Sequence, residues 1–420
     1  MFKTMKQIFL PTNKDLRKRI IYTLVALMIF VVGTSITIPG TSGITENLGF
    51  LELINAMGGG ALKRFSIFAL GVMPYITASI IIQLLQMDIV PYLAELSKQG
   101  QVGRNKINQI TRYAGIVFAF IEGFAFSFAV IGKSGNTLDY LFIATILTAG
   151  TAFLLWMGDQ ITRKGIGNGI SLIIMAGIIS TLPTMFITAF KGFVFGEFSL
   201  WLGILLFVLF VIVYFLIVIG VIFVQEAERK IPIQYANKST TIRGENQTFM
   251  PVKINSAGVI PVIFASSILA VPITIAQLIN NEGFKTFVGK YLTYTKPVGF
   301  IIFVAFIFFF AYFYTFIQLK PEDLAKNLQN NGGYMPGVRP GKDTEKYISN
   351  ILSKLTIVGA LFLVVIAGIP ILFSAVTKMD PSVTIGGTGL LIVVGVALET
   401  YKQLEGSLLT RNYKKGYSRR

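Results

Sequence analysis

The sequence contains 420 residues, of which 53% are apolar and only 14% are charged. A soluble domain carries about 25% charged residues, so this composition excludes an ordinary water-soluble enzyme. The chain has no cysteine and no histidine, which excludes disulfides, thiolate nucleophiles, Ser-His-Asp triads and histidine proton relays. We therefore expect no catalytic residues, no metal and no cofactor. The 37 basic side chains outnumber 20 acidic ones, for a formal net charge of +17.

Ten runs of about 20 mostly apolar residues predict ten transmembrane helices. They cover residues 20–38, 67–86, 113–131, 140–158, 170–190, 200–224, 256–279, 298–319, 355–377 and 386–401. We expect no cleaved signal peptide, because a long polar or mixed stretch precedes the first run and no small-residue cleavage site follows it.

The basic residues predict the orientation of these helices. If the N terminus lies in the cytoplasm, the inner segments contain 29 of the 37 Lys and Arg residues and the outer segments contain 8. The positive-inside rule then places both termini in the cytoplasm. Ten helices divide into halves of five, 1–199 and 200–420, and because five is odd a repeated half would run in the opposite direction. The halves share no visible sequence similarity, so the count permits inverted repeats without requiring them.

Two of the predicted cytoplasmic loops are long, about 225–255 and 320–354, and loops of this length usually have a function. The first begins with an alternating, strand-like stretch. The second contains a run of Gly and Pro around Arg339 that superficially suggests a phosphate-binding loop, but the spacing of that motif fails. A rigid turn that presents Arg339 to a partner is the favoured interpretation, and a solvated loop is the alternative.

The segment 48–66, between the first two predicted helices, is too apolar for an exposed loop. Its triplet Gly58–Gly60 supplies backbone freedom, and its flanks are able to form a short amphipathic helix. Non-spanning backbone is tolerated at membrane depth only when it is buried in protein or lines a cavity. The segment therefore either folds back into the protein or forms a helix that lies at the membrane surface.

Within the predicted helices, apolar residues repeat at helical spacing, at Val72, Ile76 and Ile80 and again at Ile170, Ile174 and Ile178. Such repeats usually mark packing positions. Ionisable residues are scarce. Glu122 lies midway along the third predicted helix, and an intramembrane carboxylate is a functional-site hypothesis by default.

These features favour a channel over the other classes of membrane protein. An ion-coupled transporter usually carries several buried polar or ionisable groups near the midplane, and an intramembrane protease needs a catalytic pair that this chain does not contain. An apolar constriction, in contrast, excludes ions by dewetting and needs no catalytic residue. A secondary transporter of a small solute remains the alternative.

Six stretches resemble the signature motifs of the SecY family, the channel subunits of the bacterial protein translocase. They are FALGVMPYITASIIIQLLQ (68–86), KQGQVGRNKINQITRY (98–113), KGIGNGISLIIMAGI (164–178), INSAGVIPVIFASSI (254–268), GGYMPGVRPGKDTEKYI (332–348) and GGTGLLIVVGVALE (386–399). The resemblance extends from the first to the tenth predicted helix. It implies an all-α polytopic membrane protein with ten transmembrane helices in two inverted five-helix halves around a central pore, which opens sideways to lipid between helices two/three and seven/eight.

The resemblance also implies roles for individual residues. The apolar ring of the pore comprises Val72, Ile76, Ile174, Ile178, Ile263 and Ile392. The plug covers about 53–66 and includes Leu53, Ala56, Gly58, Gly59, Gly60 and Leu62. The polar cluster of the lateral gate comprises Thr77, Gln83, Glu122 and Asn255. Arg339 matches a family arginine that engages the motor and the ribosome. In the other long loop, Arg243 is an approximate match to the basic tip of the family, whose usual pair of basic residues is missing here.

The family further implies a passive channel in the bacterial cytoplasmic membrane. Unfolded preproteins with signal peptides cross it, and apolar segments leave sideways into the membrane lipids. Since no nucleotide motif is present, the energy comes from a partner, either the SecA motor ATPase or a translating ribosome. Small SecE-type and SecG-type membrane subunits complete the channel.

Overall fold

The computed structural model of the chain is predominantly helical. It describes residues 14–41, 52–87, 89–131, 136–195, 199–235, 248–278, 282–293, 296–377 and 386–417. In chain order the first nine helices are α1 (Lys14–Gly33), α2 (Glu52–Met57), α3 (Ala61–Arg64), α4 (Met73–Leu85), α5 (Pro91–Lys98), α6 (Gly100–Ile131), α7 (Thr137–Lys164), α8 (Gly169–Val194) and α9 (Leu200–Glu226). Two strands follow, β1 (Glu228–Tyr235) and β2 (Thr248–Lys253).

The remaining elements belong to the second half of the sequence. They are α10 (Ile260–Leu278), α11 (Glu282–Phe287), a π-helical turn (Val288–Leu292), α12 (Pro297–Gln318), α13 (Pro321–Asn330), β3 (Gly333–Tyr334), α14 (Lys342–Thr377) and α15 (Gly386–Tyr417). Each of the ten segments predicted to span a membrane therefore contains a helix.

Six stretches within the described residues are long and apolar enough to cross a membrane, which makes this a multi-pass membrane protein. They are Gly100–Phe128, Thr137–Lys164, Gly169–Val194, Leu200–Glu226, Pro297–Asn330 and Lys342–Ile369. Shorter apolar helices occur at Met73–Leu85 and Ile260–Ile273.

The second predicted helix begins later than expected. The sequence predicts a helix over 67–86, but helix α4 begins only at Met73, and residues 67–72 form turns. Gly71 has a positive φ of 56°, and Pro74 occupies the first turn of α4, where its fixed φ favours helix initiation. The turns are tolerated because they are buried in protein: Phe68 and Leu70 are among the core residues.

Local sequence accounts for other helix ends. The side chain of Asn168 accepts hydrogen bonds from the backbone N–H groups of Ile170 and Ser171 and so caps α8. Asn136 and Asp139 form a capping box at the start of α7. One large apolar core joins α1, α2, α4, α6, α7 and α8 to helices from the second half of the chain.

The two long loops fold together into one small unit. Strand β1 pairs antiparallel with β2 and with β3, in the order β2-β1-β3. The strand predicted from the alternation at the start of the first loop is confirmed, since Ile231 and Ile233 point inward while their neighbours are exposed. A separate core contains both of these side chains together with Leu328 of α13 and Ile351 of α14. We call this unit, residues 228–235, 248–253 and 321–352, the docking unit.

Candidate functional site

The six predicted ring residues converge in the main apolar core. Five of them are buried, at 1–7% exposure: Val72, Ile76, Ile174, Ile178 and Ile392. Ile263 is half-buried and packs against the same core. The residues come from α4 and the turn before it, α8, α10 and α15, so elements from both halves of the chain contribute. One apolar core therefore contains side chains that lie up to 320 positions apart in the sequence.

A cavity of about 350 Å³ ends at three of these isoleucines, and we call it the vestibule. Along α8 its lining runs from Asn168 and Ser171 to Ile174, and along α15 it runs from Lys402 and Glu399 to Ile392. On both helices the lining therefore changes from polar at the outer end to apolar at the inner end. A cavity of this shape is hydrated at its polar mouth, whereas its apolar end excludes water and ions.

The predicted plug segment folds back into the protein. Ala56, Met57, Ala61 and Leu62 are 0–3% exposed, which rules out a helix at the membrane surface. Leu53 lies in α2, ahead of these residues. The backbone of the segment is held by hydrogen bonds to Asn55, whose side-chain oxygen accepts from the N–H of Lys63 at 2.9 Å and whose carbonyl accepts from the N–H of Gly60 at 2.8 Å.

Glycines allow the plug segment to lie directly against the ring helices. Gly59 and Gly60 have φ of +72° and +78°, which other residues rarely adopt. A Cβ atom at Gly177 of α8 would lie 2.1 Å from the carbonyl oxygen of Met57. A Cβ atom at Gly71, next to ring residue Val72, would lie 3.7 Å from the Cα of Gly58. The segment thus packs backbone to backbone against the elements that carry the ring.

A second cavity, of about 240 Å³, lies between α4, α6 and α10, and we call it the side cavity. Two of the four predicted gate residues, Thr77 and Glu122, line it together with Ser267 of α10 and Leu62 of the plug segment. Most of its remaining lining is apolar. Helices from both halves of the chain therefore meet at the side cavity, with a carboxyl group at its wall.

The other two predicted gate residues lie elsewhere. Asn255 lines the vestibule, and its side-chain N–H₂ group donates to the carbonyl of Gly258 at 3.0 Å. Gln83 lies on α4, and its side-chain nitrogen donates to the Ser79 hydroxyl at 3.1 Å. The structure thus places Thr77 and Glu122 at the side cavity and Asn255 at the vestibule.

The predicted rigid turn before Arg339 is confirmed. The N–H of Val338 donates to the carbonyl of Met335 at 3.1 Å, and Gly337 has a φ of +78°, as a type II turn with Pro336 and Gly337 at its centre requires. Arg339 is exposed, and its carbonyl accepts from the Thr344 hydroxyl at 2.9 Å. Arg243 lies outside the described residues.

The sequence interpretation missed a charged pair between the third and fourth predicted helices. Arg112 of α6 and Asp159 of α7 form an ion pair, but both lie just beyond the ends of their predicted helices. The structure extends these helices to Gly100–Ile131 and Thr137–Lys164. A Cβ atom at Gly115 of α6 would lie 3.1 Å from the Cα of Tyr75 on α4, the helix that carries Ile76. Arg112 lies about one helical turn before this contact on α6. The unbroken helical sequence between 100 and 131, which contains no proline, was the available signal.

The described residues contain no group of three or more acidic side chains placed to hold a metal ion. The features described above are the predicted ring residues, a vestibule with a polar mouth, a buried plug segment, a side cavity and the docking unit. This arrangement suits passage through a constriction.

Comparison with known proteins places this arrangement in a family. The SecY family model matches residues 66–401. The protein translocase subunit SecY of Staphylococcus epidermidis is 48% identical over 429 residues and that of Bacillus licheniformis 47% identical over 428, each match covering 99% of both chains.

Solved structures share the fold at low sequence identity. The first, "The structure of a protein conducting channel", has a TM-score of 0.64 at 19% identity and covers 93% of this chain and 92% of its own. The second, "Sec61 in the Canine ribosome-channel complex from the endoplasmic reticulum", has a TM-score of 0.62 at 19% identity with the same coverage. The family model that matches residues 66–401, together with the 47–48% identity to SecY subunits along the whole chain, establishes that the chain belongs to the SecY family of protein translocase subunits.

Proposed function

We propose that the chain forms a protein-conducting channel through which unfolded preproteins cross the cytoplasmic membrane of a bacterium. The observation that carries this proposal is the stacking of three features along one path. The vestibule ends at Ile174, Ile263 and Ile392, these side chains join the other ring residues in the core, and the plug segment packs against α8, the helix that carries Ile174.

The ring acts as a seal in this mechanism. All six side chains are aliphatic, so the constriction holds no group that could replace the hydration shell of an ion, and it excludes ions by dewetting. An unfolded polypeptide displaces the plug segment and is then surrounded by the ring. Because aliphatic side chains adapt to residues of different size, ion leak stays low during passage.

The side cavity is the proposed lateral gate. It lies where α4 and α6 of the first half meet α10 of the second, so separation of the halves opens it toward lipid. An apolar segment in the pore then leaves sideways, since its transfer to lipid is favourable. Thr77 and Glu122 belong to this gate, and we assign Gln83 and Asn255 to its polar surroundings.

The channel spans the membrane ten times in two inverted halves, 1–199 and 200–420, with both termini in the cytoplasm. A helix within each of the ten predicted segments supports this topology, and the excess of basic residues on the inner segments supports the orientation. The docking unit then faces the cytoplasm.

Partners supply the energy and complete the channel. The docking unit presents Arg339 on a rigid turn, which suits engagement by a SecA-type motor ATPase or by a ribosome, and we assign the same role to Arg243. The Sec61 neighbour comes from a ribosome–channel complex. The exposed apolar faces of α1 and α9 suit contact with lipid and with SecE-type and SecG-type subunits.

The test is purification of the full chain from its native membrane in mild detergent, followed by reconstitution into vesicles. We expect small membrane subunits to co-purify and a preprotein to become protease-protected inside the vesicles when SecA and ATP are added. The same preprotein without its signal peptide is the control. A chain that purifies alone and takes up a small solute, with no protected preprotein, would overturn the proposal in favour of a transporter.

A further inference from the structure

The vestibule is lined by equal numbers of acidic and basic side chains. Among the described residues that line it, four are charged: Glu226, Lys253, Glu399 and Lys402. The Lys402 ammonium group lies 2.9 Å from the Glu226 carboxylate and joins α15 to α9. Glu399 lies one turn before Lys402 on α15. The net formal charge of this lining is therefore zero.

The surroundings of the vestibule are strongly basic by comparison. The sequence segments predicted to face the cytoplasm contain 29 Lys and Arg residues against 12 Asp and Glu residues. A random sample of such a surface would be positive. A positive mouth would attract acidic stretches of a polypeptide and repel basic ones, and signal peptides begin with a basic region.

We infer that Glu226, Lys253, Glu399 and Lys402 form a charge-balanced rim that keeps the mouth of the pore electrically neutral within a basic cytoplasmic face. Segments of either sign then reach the apolar ring without an electrostatic preference. The inference rests on the proposed function for its meaning, since it takes the vestibule as the path of the polypeptide. The neutrality itself is a property of the resting protein.

A single reporter thiol measures the local potential, because the chain contains no native cysteine. Ser171 lines the vestibule on α8, a helix that contributes none of the four charged side chains. In the full chain with its co-purified subunits, Ser171→Cys is treated with a cationic trimethylammonium-ethyl methanethiosulfonate and with the anionic sulfonatoethyl reagent. The ratio of the two rates, divided by that of a free thiol in solution, reports the potential. A change in the thiol pKa affects both rates equally and cancels.

We expect a normalised ratio within about twofold of unity for Ser171→Cys. A thiol at Val338→Cys, beside Arg339 on the basic face, should favour the anionic reagent. A vestibule of 350 Å³ is about 9 Å across, so reversing one charge at about 0.1 M salt changes each rate nearly twofold, in opposite directions. Lys402→Glu should thus shift the ratio about 3.5-fold toward the cationic reagent, and Glu399→Lys about 3.5-fold toward the anionic one.

Lys346→Glu is the matched control, because Lys346 is exposed in the docking unit and does not line the vestibule. It should leave the ratio at Ser171→Cys unchanged. A second reporter, Ser256→Cys, also lines the vestibule and replaces the first if that variant folds poorly. The inference is overturned if the parent reporter prefers the anionic reagent as strongly as the Val338 site, or if the rim reversals shift the ratio no more than the control. Neither result depends on transport, so failure of the proposed function is observed separately.

Discussion

The close approach of the plug segment to α8 makes Gly177→Ala a sensitive probe of the seal. The new Cβ atom would lie 2.1 Å from the carbonyl oxygen of Met57 and 3.0 Å from the backbone nitrogen of Gly59, about 1 Å inside van der Waals contact for the first pair. Both neighbours are backbone atoms and are unable to turn away as a side chain does. The plug segment must therefore move.

The size of the effect follows from the cost of overpacking a core, about 1–3 kcal/mol. If the plug segment relieves this strain by leaving its site, the balance between seated and displaced states shifts about 5- to 150-fold. We expect the resting ion conductance of the channel in a planar lipid bilayer to rise by a factor in that range. Alanine favours a helix over glycine by about 0.5–1 kcal/mol, so α8 itself is not weakened.

Gly220→Ala is the matched control, because Gly220 also lies inside a long helix, α9, but a Cβ atom there meets nothing within 4 Å. It should leave the conductance unchanged. Thermal denaturation in detergent checks that both variants remain folded. Equal resting conductance for folded Gly177→Ala and Gly220→Ala would refute the reasoning that backbone contact with α8 holds the plug segment.

Three further predictions concern the ring, the docking turn and the missed ion pair. Ile76→Asn places an amide in the apolar ring and should raise resting conductance through a wetter constriction, whereas Ile76→Leu, which keeps the ring aliphatic, should not. Arg339→Glu should reduce SecA-driven preprotein transport at least tenfold while changing the free energy of unfolding by less than about 0.5 kcal/mol, since the side chain is exposed; full transport by a purified motor would contradict its docking role. Arg112→Leu or Asp159→Leu alone should each destabilise the protein by about 2 kcal/mol in a denaturation assay, because the remaining charge loses its partner in a half-buried site. The double variant should recover most of that loss, and additive losses would show that the pair is not coupled.

Short-range signals in the sequence predicted much of the local structure. Runs of apolar residues located a helix within each of the ten segments, because a chain in lipid must satisfy its backbone hydrogen bonds within each segment. Strand β1 followed from its alternation, and the turn before Arg339 followed from Pro336 and Gly337. The six motifs that resemble the SecY family predicted the ring residues, and the structure places these side chains in or against one core.

Helix ends were harder to predict. Hydropathy shows where the apolar sequence ends, but a helix ends where its backbone hydrogen bonds end. The second predicted helix was too long by six residues at its start, since turns buried in protein are as apolar as a helix in lipid. The third and fourth predicted helices were too short. Arg112 and Asp159 were therefore assigned to loops, although each continues its helix and faces the other.

By itself, the sequence determined that this protein crosses a membrane several times, that it carries no histidine or cysteine chemistry, and that its positive charges are concentrated on one set of loops. Composition and periodicity are properties of short stretches, so these conclusions did not need a fold. Only the tertiary structure decided that the plug segment is buried against Gly177, that Asn255 lines the vestibule whereas Thr77 and Glu122 line the side cavity, and that the two long loops form one docking unit. It also placed two acidic and two basic side chains around the vestibule. All of these features have the same physical origin. These features depend on contacts between residues far apart in the chain, which no local pattern encodes.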